Sequence, residues 1–197
     1  MVQLKVLAVG AGIALAGASL AARQQPGHDS MAAPLGSPLA EATATIAGEG
    51  ITGTATFAEY QREDSRVVHV LLTITGLKPG LHGVHLHAVG KCETGPPNFV
   101  SAGGHFDPGP SGNMDPDANH PFHMGDLPNL KVGADGKGEL DATTTRVTLT
   151  DGPLSLLDAD GSAIIIHGNP DQGITGEPKS GVSGGPRVAC GVISLKH

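Results

Sequence analysis

The chain of 197 residues is long enough for one domain with a substantial hydrophobic core and too short for two ordinary ones. Its 30 glycines, 15 prolines and 3% aromatic residues favour many turns around an aliphatic core, which is typical of a β-rich domain with long loops. The formal net charge of −7 argues against binding to nucleic acid and against docking on anionic lipid.

The first residues predict an export signal. A single lysine precedes an apolar run, VLAVGAGIALAGASLAA, that ends in small residues. Because Ser19 and Ala21 place small side chains where a signal peptidase cleaves, we predict a signal peptide at residues 1–21. An uncleaved membrane anchor is the alternative, although glycines and alanines make the run only weakly apolar. A flexible, proline-bearing linker is predicted at 22–40 and one domain at 41–197.

Export predicts a periplasmic or secreted protein, without stable membrane association after the signal is cleaved. Two cysteines in such an oxidising compartment most simply form one disulfide, and the chain contains Cys92 and Cys190. Two free thiols are the alternative that the residues alone leave open.

Short β-strands are predicted throughout the domain. β-branched runs, apolar–polar alternation and Gly-rich turns predict strands at 43–46, 52–57, 67–75, 82–89, 130–132, 139–143, 146–149, 162–167 and 187–195. No long stretch has a convincing helical period. We therefore predict an all-β fold of about eight strands with Greek-key connections.

Two long segments, 90–125 and 168–186, interrupt this pattern of short turns. Both are rich in Gly, Pro, Asn and Asp, and they could not bury their own backbone polar groups. Loops of this length in a compact domain are usually functional or disordered. A metal and a disulfide are two means of holding them in place.

The ten histidines are the most informative feature of the sequence. His85 and His87 lie two residues apart on a predicted strand, so their side chains share one face, whereas that of His82 lies on the other. Further metal-ligand candidates lie in or beside the long loops: His105, His120, His123, Asp126 and His167. Imidazole binds copper and zinc well, and a carboxylate completes a zinc site.

Five segments in order, GLHGVHLHAVG, SAGGHFDP, HMGDLPNL, AIIIHGNPD and GGPRVACGVIS, together resemble the copper/zinc superoxide dismutase family in its exported bacterial form. The resemblance covers residues 41–195 and implies an eight-stranded Greek-key β-barrel or sandwich with two long functional loops. It also implies dismutation of superoxide to O₂ and hydrogen peroxide by a copper ion cycling between Cu²⁺ and Cu⁺. A histidine would bridge this copper to a structural Zn²⁺.

The resemblance assigns roles to individual residues. It implies copper ligands at His85, His87, His105 and His167. It implies zinc ligands at His105, His123 and Asp126, with His105 as the bridge that takes part in catalysis. Arg187 would receive the anion beside the copper, and Asp171 would link copper-side and zinc-side histidines. Cys92 and Cys190 would form the disulfide that ties the first long loop to the last strand.

One position departs from the family pattern. The span that should end at a further zinc histidine ends here at Asn113 and Met114. We favour His120 as the third zinc histidine, because a loop of Gly, Pro and Asn could bring it beside His123. The alternative is a weakened or absent zinc site and a copper-only enzyme.

Three other residues receive supporting roles. His82 should hydrogen-bond to the backbone and order a neighbouring loop. Lys179 and Glu177, in the loop before Arg187, are candidates for guiding the anion into a cleft whose local field outweighs the acidic net charge.

Two other functions compete with the dismutase. A periplasmic copper or zinc carrier would use the same histidines without turnover, but it would not need Arg187 as an anion-docking group. A zinc hydrolase would need an open zinc position and a general base. The resemblance is compatible with a homodimer and with a copper-donor protein, and the sequence does not choose between a monomer and a dimer.

Overall fold

The computed structural model describes residues 36–109 and 114–196. The predicted signal peptide and residues 22–35 of the predicted linker lie outside the described residues. The strands, in chain order, are β1 (Ala40–Gly48), β2 (Ile51–Arg62), β3 (Ser65–Thr75), β4 (Gly80–His82), β5 (Val84–His87), β6 (Leu130–Val132), β7 (Lys137–Thr144), β8 (Ala163–His167), β9 (Arg187–Val192) and β10 (Ser194–Leu195). Among the described residues, a 3₁₀ turn at Val100–Ala102 is the only helical element.

The strands form one antiparallel sheet that curls into a nearly closed barrel. Their spatial order is β4-β6-β7-β3-β2-β1-β9-β8-β5, with β10 paired to β1. Because Gly83 alone separates β4 from β5, the two ends of this order meet on the chain. With β4–β5 and β9–β10 each counted as one interrupted strand, the described residues form a barrel of eight strands. The predicted all-β barrel is confirmed.

Alternating side chains explain why these segments form a barrel. In β2, Ile51, Ala55 and Phe57 are buried while the intervening threonines are exposed, and β1 and β3 follow the same period. β1 and β2 pair in register from Gly48↔Ile51 to Ala40↔Glu59 around a two-residue turn. The inward side chains form one aliphatic core, which gives the outer loops a rigid support.

Two strand predictions are wrong, and a third, the strand predicted at 187–195, is interrupted at Ile193 between β9 and β10. The predicted strand at 82–89 is broken at Gly83, whose N–H donates to Asn169 O (2.9 Å), and it ends at His87. The predicted strand at 146–149 is not a strand; only Thr148 makes an isolated bridge there.

A buried carboxylate accounts for the second difference. Glu59 of β2 is fully buried, and its Oε2 accepts the N–H groups of Leu149 (2.8 Å) and Thr150 (2.7 Å). These donors are therefore not available to a neighbouring strand, although the segment is apolar enough to be mistaken for one.

Candidate metal centre

The site begins on the outer face of β5 and β8. Val84 and Leu86 face the barrel core, so the alternation of β5 turns His85 and His87 to the opposite face. All four residues are nevertheless buried, because the two long loops cover that outer face. β8 pairs antiparallel with β5, and its last residue, His167, lies on the same face.

The first long loop delivers the next ligand candidates to this face. Leu86 N–H donates to Gly125 O (2.8 Å) and Phe106 N–H donates to Leu86 O (2.8 Å), so both backbone groups of Leu86 are paired with the loop. Isolated bridges join His87 to His105 and His85 to Asp126. Regular backbone pairing therefore fixes where the loop side chains meet the strand histidines.

Gly125 is required by this close approach. A Cβ atom at this position would lie 2.4 Å from Leu86 O, closer than real Cβ atoms approach a carbonyl oxygen. Gly104 is a similar case, because its Cβ would lie 1.9 Å from Met114 O. The glycines of the HMGD and SAGGH segments thus allow the first long loop to lie directly against the chain beneath it.

Four histidines form the first cluster. One ligand atom from each of four buried rings lies within 4.8 Å of the others: His85, His87, His105 and His167. The facing nitrogens, His85 Nδ1 and the Nε2 atoms of the other three, are buried and have no hydrogen-bond partner among the described residues. Buried polar atoms are normally paired, so four converging unpaired nitrogens are the arrangement expected of a metal site.

Oxygen acceptors decide which nitrogen of each ring stays free. His87 Nδ1 donates to Gly103 O (3.1 Å), His167 Nδ1 donates to Gly185 O (3.0 Å), and His85 Nε2 lies 3.0 Å from Asp171 Oδ2. Because carbonyl and carboxylate oxygens only accept, these nitrogens carry the protons. The lone pairs are left on the nitrogens that face the centre of the cluster.

The rings of the first cluster are neutral. Burial lowers the pKa of His87 and His167 well below the ordinary value, and neighbouring rings and Arg187 lower them further. Burial also lowers the pKa of His85, and it lowers that of His105 to about 3 against the opposing effect of Asp126. Neutral imidazole is the form that binds one metal, so His85, His87 and His167 need lose no proton to do so at neutral pH, whereas His105 would lose its proton to bind a metal through each ring nitrogen.

The second cluster surrounds Asp126. Its carboxylate lies 2.8 Å from His105 Nδ1, 3.2 Å from His123 Nδ1 and 3.3 Å from His120 Nδ1, the last without hydrogen-bond geometry. His105 Nδ1 and His123 Nδ1 are 3.3 Å apart. Atoms of His105, His120, Asp126 and also His85 lie within 4.8 Å of one another. His105 therefore belongs to both clusters, one through each ring nitrogen.

Two carboxylates control the charge of the second cluster. Burial opposes ionisation of Asp126, but the rings of His105, His120 and His123 beside it outweigh this effect and hold the pKa of Asp126 far below its ordinary value. Burial likewise opposes protonation of His120, but Asp126 and Asp171 raise the pKa of His120 to about 9. Without a metal, His120 is therefore protonated, and a cation bound at this position would replace that proton.

Asp171 connects the two clusters. One carboxylate oxygen lies 3.0 Å from His85 Nε2 and the other 2.6 Å from His120 Nε2. The pKa of Asp171 is lowered because hydrogen bonds from these rings outweigh its burial. The side chain of Asn129 bonds both the N–H and the C=O of Asp171, which fixes the carboxylate's backbone.

Arg187 lies at the edge of the first cluster. Its guanidinium donates to Phe99 O and Gly103 O, both at 2.7 Å, and the second carbonyl also accepts from His87. Burial lowers the pKa of Arg187 below its ordinary value, which still leaves the group charged at neutral pH. A fixed positive charge thus stands beside the four nitrogens.

The carbonyls that hold Arg187 belong to a tethered segment. Cys92 and Cys190 form a disulfide, as predicted, and they lie 98 positions apart in the sequence. It joins the start of the first long loop to β9, the strand that begins with Arg187.

The remaining predicted residues lie outside the clusters. His82 Nδ1 lies 2.8 Å from His167 O and its Nε2 2.9 Å from Lys78 O, so its partners are backbone carbonyls, as expected. Lys179 and Glu177 are exposed in the second long loop, and within the described part of the chain neither side chain is seen to bond to a cluster residue.

Sequence reasoning missed two residues that hold the first long loop. Arg146 donates to His123 O (2.9 Å) and to Asp126 O, and Asp117 accepts hydrogen bonds from the second long loop. No local motif marks either residue, because their partners are backbone groups distant in sequence.

Comparison with known proteins agrees with this geometry. The model of the family described as copper/zinc superoxide dismutase matches residues 51–193. The chain belongs to the copper/zinc superoxide dismutase family. This family membership brings with it the dismutation of superoxide as the reaction, superoxide as the substrate, and copper and zinc as the metals.

Relatives in the copper/zinc superoxide dismutase family come from distant organisms. A Superoxide dismutase [Cu-Zn] of Deinococcus radiodurans is 42% identical over 172 residues, 83% of this chain and 88% of the relative. A Superoxide dismutase [Cu-Zn] 2 of Brassica juncea is 40% identical over 152 residues, covering 75% of this chain and 92% of the relative.

Two solved structures share the dismutase fold. The clock protein EA4 matches with a TM-score of 0.64 and 31% identity, over 84% of this chain and 100% of that one. A double mutant of a SOD-like protein from Bacillus subtilis matches with a TM-score of 0.57 and 35% identity, over 76% of this chain and 95% of that one.

In the residues that the structure describes, no helix has the length and apolar character needed to cross a bilayer.

Proposed function

We propose that the first cluster holds the copper of the dismutase and the second cluster holds its zinc. The observation that carries the proposal is the set of four buried, unpaired nitrogens in the first cluster, on His85, His87, His105 and His167. Three of the rings are already oriented by hydrogen bonds from their other nitrogen, so the ligand set is assembled before metal binding.

The zinc ligands in this proposal are His105, His120, His123 and Asp126. We choose His123 over His85 because His85 Nε2 is engaged by Asp171 while its Nδ1 belongs to the first cluster. His123 Nδ1, in contrast, lies beside both His105 Nδ1 and Asp126. Three imidazoles and one carboxylate make a closed set of four, which suits a structural zinc ion.

The position of His120 favours this two-metal centre over a copper-only enzyme. Its ring is buried, with Nδ1 3.3 Å from Asp126 and Nε2 on Asp171. His120 thus supplies the imidazole that the sequence lacks at Asn113 and Met114, from a later point in the same loop.

The copper supplies one-electron chemistry when bound, and the zinc supplies a fixed positive charge. The chain's own residues do the rest. Arg187 binds the superoxide anion beside the first cluster and neutralises its charge. His105 would hold a proton taken from water at Nε2 when that nitrogen is not a ligand, and it would give this proton to the reduced product, hydrogen peroxide, whose second proton comes from water. Asp171 keeps His85 and His120 in their tautomers.

A carrier without turnover is disfavoured by Arg187. Two carbonyl oxygens hold the guanidinium beside the four nitrogens, where it would repel an incoming cation. A protein that only stores copper gains nothing from that charge, whereas an enzyme for an anionic substrate does.

We also propose that the protein is exported, through a signal peptide at residues 1–21, to the periplasm or beyond the cell. The disulfide between Cys92 and Cys190 supports an oxidising compartment. Amino-terminal sequencing of the protein from its source tests this proposal. A mature chain that begins after Ala21 would support cleavage of the signal peptide, and a chain that still begins at Met1 would contradict it.

Metal analysis of purified protein, with a superoxide assay, tests the metal assignment. We expect copper and zinc at one equivalent each, and loss of zinc with retention of copper in His120→Ala. His69→Ala removes a half-buried histidine of β3, whose ring contacts Asp141, and should leave both metals in place. An unchanged zinc content in His120→Ala would show that His120 is not a zinc ligand. Copper-loaded protein that does not dismutate superoxide would favour the alternative function of a metal carrier.

A further inference from the structure

Asp117 links the two long loops. It lies in the first long loop and is 4% exposed, and its carboxylate faces the second. Oδ2 accepts the N–H of Gly181 at 2.9 Å, and Oδ1 accepts the N–H (3.1 Å) and the hydroxyl (2.8 Å) of Ser183. We call Asp117, Gly181 and Ser183 the loop latch.

Backbone contacts extend the same connection. Gly176 N–H donates to Asp117 O at 2.8 Å, and the hydroxyl of Thr175 donates to His120 O at 2.6 Å. The two loops are therefore joined at His120 and again at the loop latch. Hydrogen bonds to an ionised, buried carboxylate are the stronger ones among these contacts.

The second long loop also contacts the ring of His120. Asp171, which belongs to that loop, lies 2.6 Å from His120 Nε2. His120 is thus held by its ring through Asp171 and by its carbonyl through Thr175. For the ring to swing away from the second cluster, its contact with Asp171 must break, and separation of the second long loop from the first would break it.

We propose that Asp117 is a positioning residue that keeps the second long loop closed over His120 and thereby slows the escape of zinc. The inference rests on the proposed zinc site. In the part of the chain that the structure describes, no hydrogen bond joins Asp117 to a cluster residue, so it acts through the loop that carries Asp171 and Thr175.

An Asp117→Asn substitution tests the latch with almost no change in shape. An amide has one acceptor oxygen and one donor NH₂, whereas both oxygens of Asp117 face donors. The NH₂ group would therefore oppose an N–H of either Gly181 or Ser183. Ser183→Ala is the milder variant, because it removes one hydroxyl and keeps both backbone donors.

The measurement is the rate at which zinc-loaded protein loses zinc to the chelator 4-(2-pyridylazo)resorcinol. We expect a rate about tenfold faster in Asp117→Asn and about threefold faster in Ser183→Ala, in line with the strength of hydrogen bonds to a charged group. The double variant should release zinc no faster than Asp117→Asn alone, because the Ser183 hydroxyl acts through Asp117. Asp141→Asn, an exposed carboxylate on β7, serves as the control.

Amide hydrogen exchange separates positioning from general stability. In zinc-loaded Asp117→Asn, we expect faster exchange in the second long loop and around His120, and unchanged exchange in β1, β2 and β3. Equally faster exchange in these strands, or zinc release within about twofold of wild type, overturns the role of Asp117.

The proposed function fails separately, if wild-type protein binds no zinc that depends on His120. Should Asp117→Asn not fold, Ser183→Ala decides alone: faster zinc release supports the latch, and an unchanged rate overturns it.

Discussion

Single acceptor oxygens determine what each histidine of the centre does. His87 and His85 lie on one strand and face the same way, yet they offer different nitrogens, Nε2 and Nδ1. The difference follows from their partners, a carbonyl at Gly103 for one and the carboxylate of Asp171 for the other. A histidine-rich strand becomes a ligand set only through these contacts.

Arg187 tests the anion-binding role at the scale of one residue. Replacement by Glu reverses the charge beside the first cluster, so we expect kcat/KM at low salt to fall by about a hundredfold with copper content unchanged. Lys131→Glu makes the same change of charge on β6, away from the ligands, and should have little effect. Full activity of Arg187→Glu at low salt would contradict the role.

Asp171 offers a comparison between a buried and an exposed carboxylate–histidine pair. Asp171→Asn leaves His85 and His120 without their charged partner, so we expect the affinity for zinc to fall by about 10–100-fold. The control is Asp141→Asn, since Asp141 lies 2.7 Å from the half-buried His69 and should not alter metal binding. Competition with a chelator measures the affinity, and equal values for the two variants would exclude Asp171 from the site.

At the scale of single residues, prediction succeeded where metal-binding side chains follow the two-residue period of a β-strand. The period of a strand placed His85 and His87 on one face, and the structure brings both rings to the same cluster. Asp117 escaped prediction because its partners, the backbone N–H groups of Gly181 and Ser183 and the Ser183 hydroxyl, are distant in the sequence and form no local motif.

At the scale of elements, the sequence predicted the positions of the strands well, but it predicted the interruptions between them poorly. β-branched runs located β3 and β8, whose neighbours are ordinary antiparallel strands. The break at Gly83 depends on a bond to Asn169, and the missing strand at 146–149 depends on Glu59. Such contacts arise only once the barrel is closed, so local pattern could not reveal them.

Gly125 tests whether the first long loop must lie against β5. Gly125→Ala would place a methyl group against Leu86 O, and we expect a loss of stability of about 1–3 kcal/mol, as for overpacking. Gly95→Ala is the matched control in the same loop, because nothing lies within 4 Å of its Cβ position. Urea unfolding measures both variants, and equal stability would show that the loop shifts at no cost.

At the scale of the whole molecule, the centre is a polar layer outside an aliphatic barrel. The core side of β5 and β8 is built from residues such as Leu86 and Ile164, and the histidines occupy the opposite face under two long loops. The barrel thus folds on hydrophobic burial, while the loops depend on ions, a disulfide and buried carboxylates. This division predicts that pH acts mainly on the outer layer.

The pH dependence of metal-free protein has a definite sign. The pKa values of four histidines are lowered in the folded protein: His85, His87, His105 and His167. Below about pH 6.5, these side chains are therefore protonated in the unfolded chain and still neutral in the folded one. Stability should therefore fall as the pH drops, by about 1.4 kcal/mol per pH unit for each such group. The lowered pKa values of Asp126 and Asp171 add a further loss below about 4.

His120 acts in the opposite direction on the alkaline side. Its pKa is raised to about 9, so its contribution is complete below about 6.5 and is lost as the pH rises through about 9. Metal-free protein should thus be most stable near neutral pH, as measured by urea unfolding at several pH values. His87→Gln should reduce the acid slope by about one proton, because one buried ring no longer titrates. A slope equal to that of wild type would show that His87 is already protonated in the folded state.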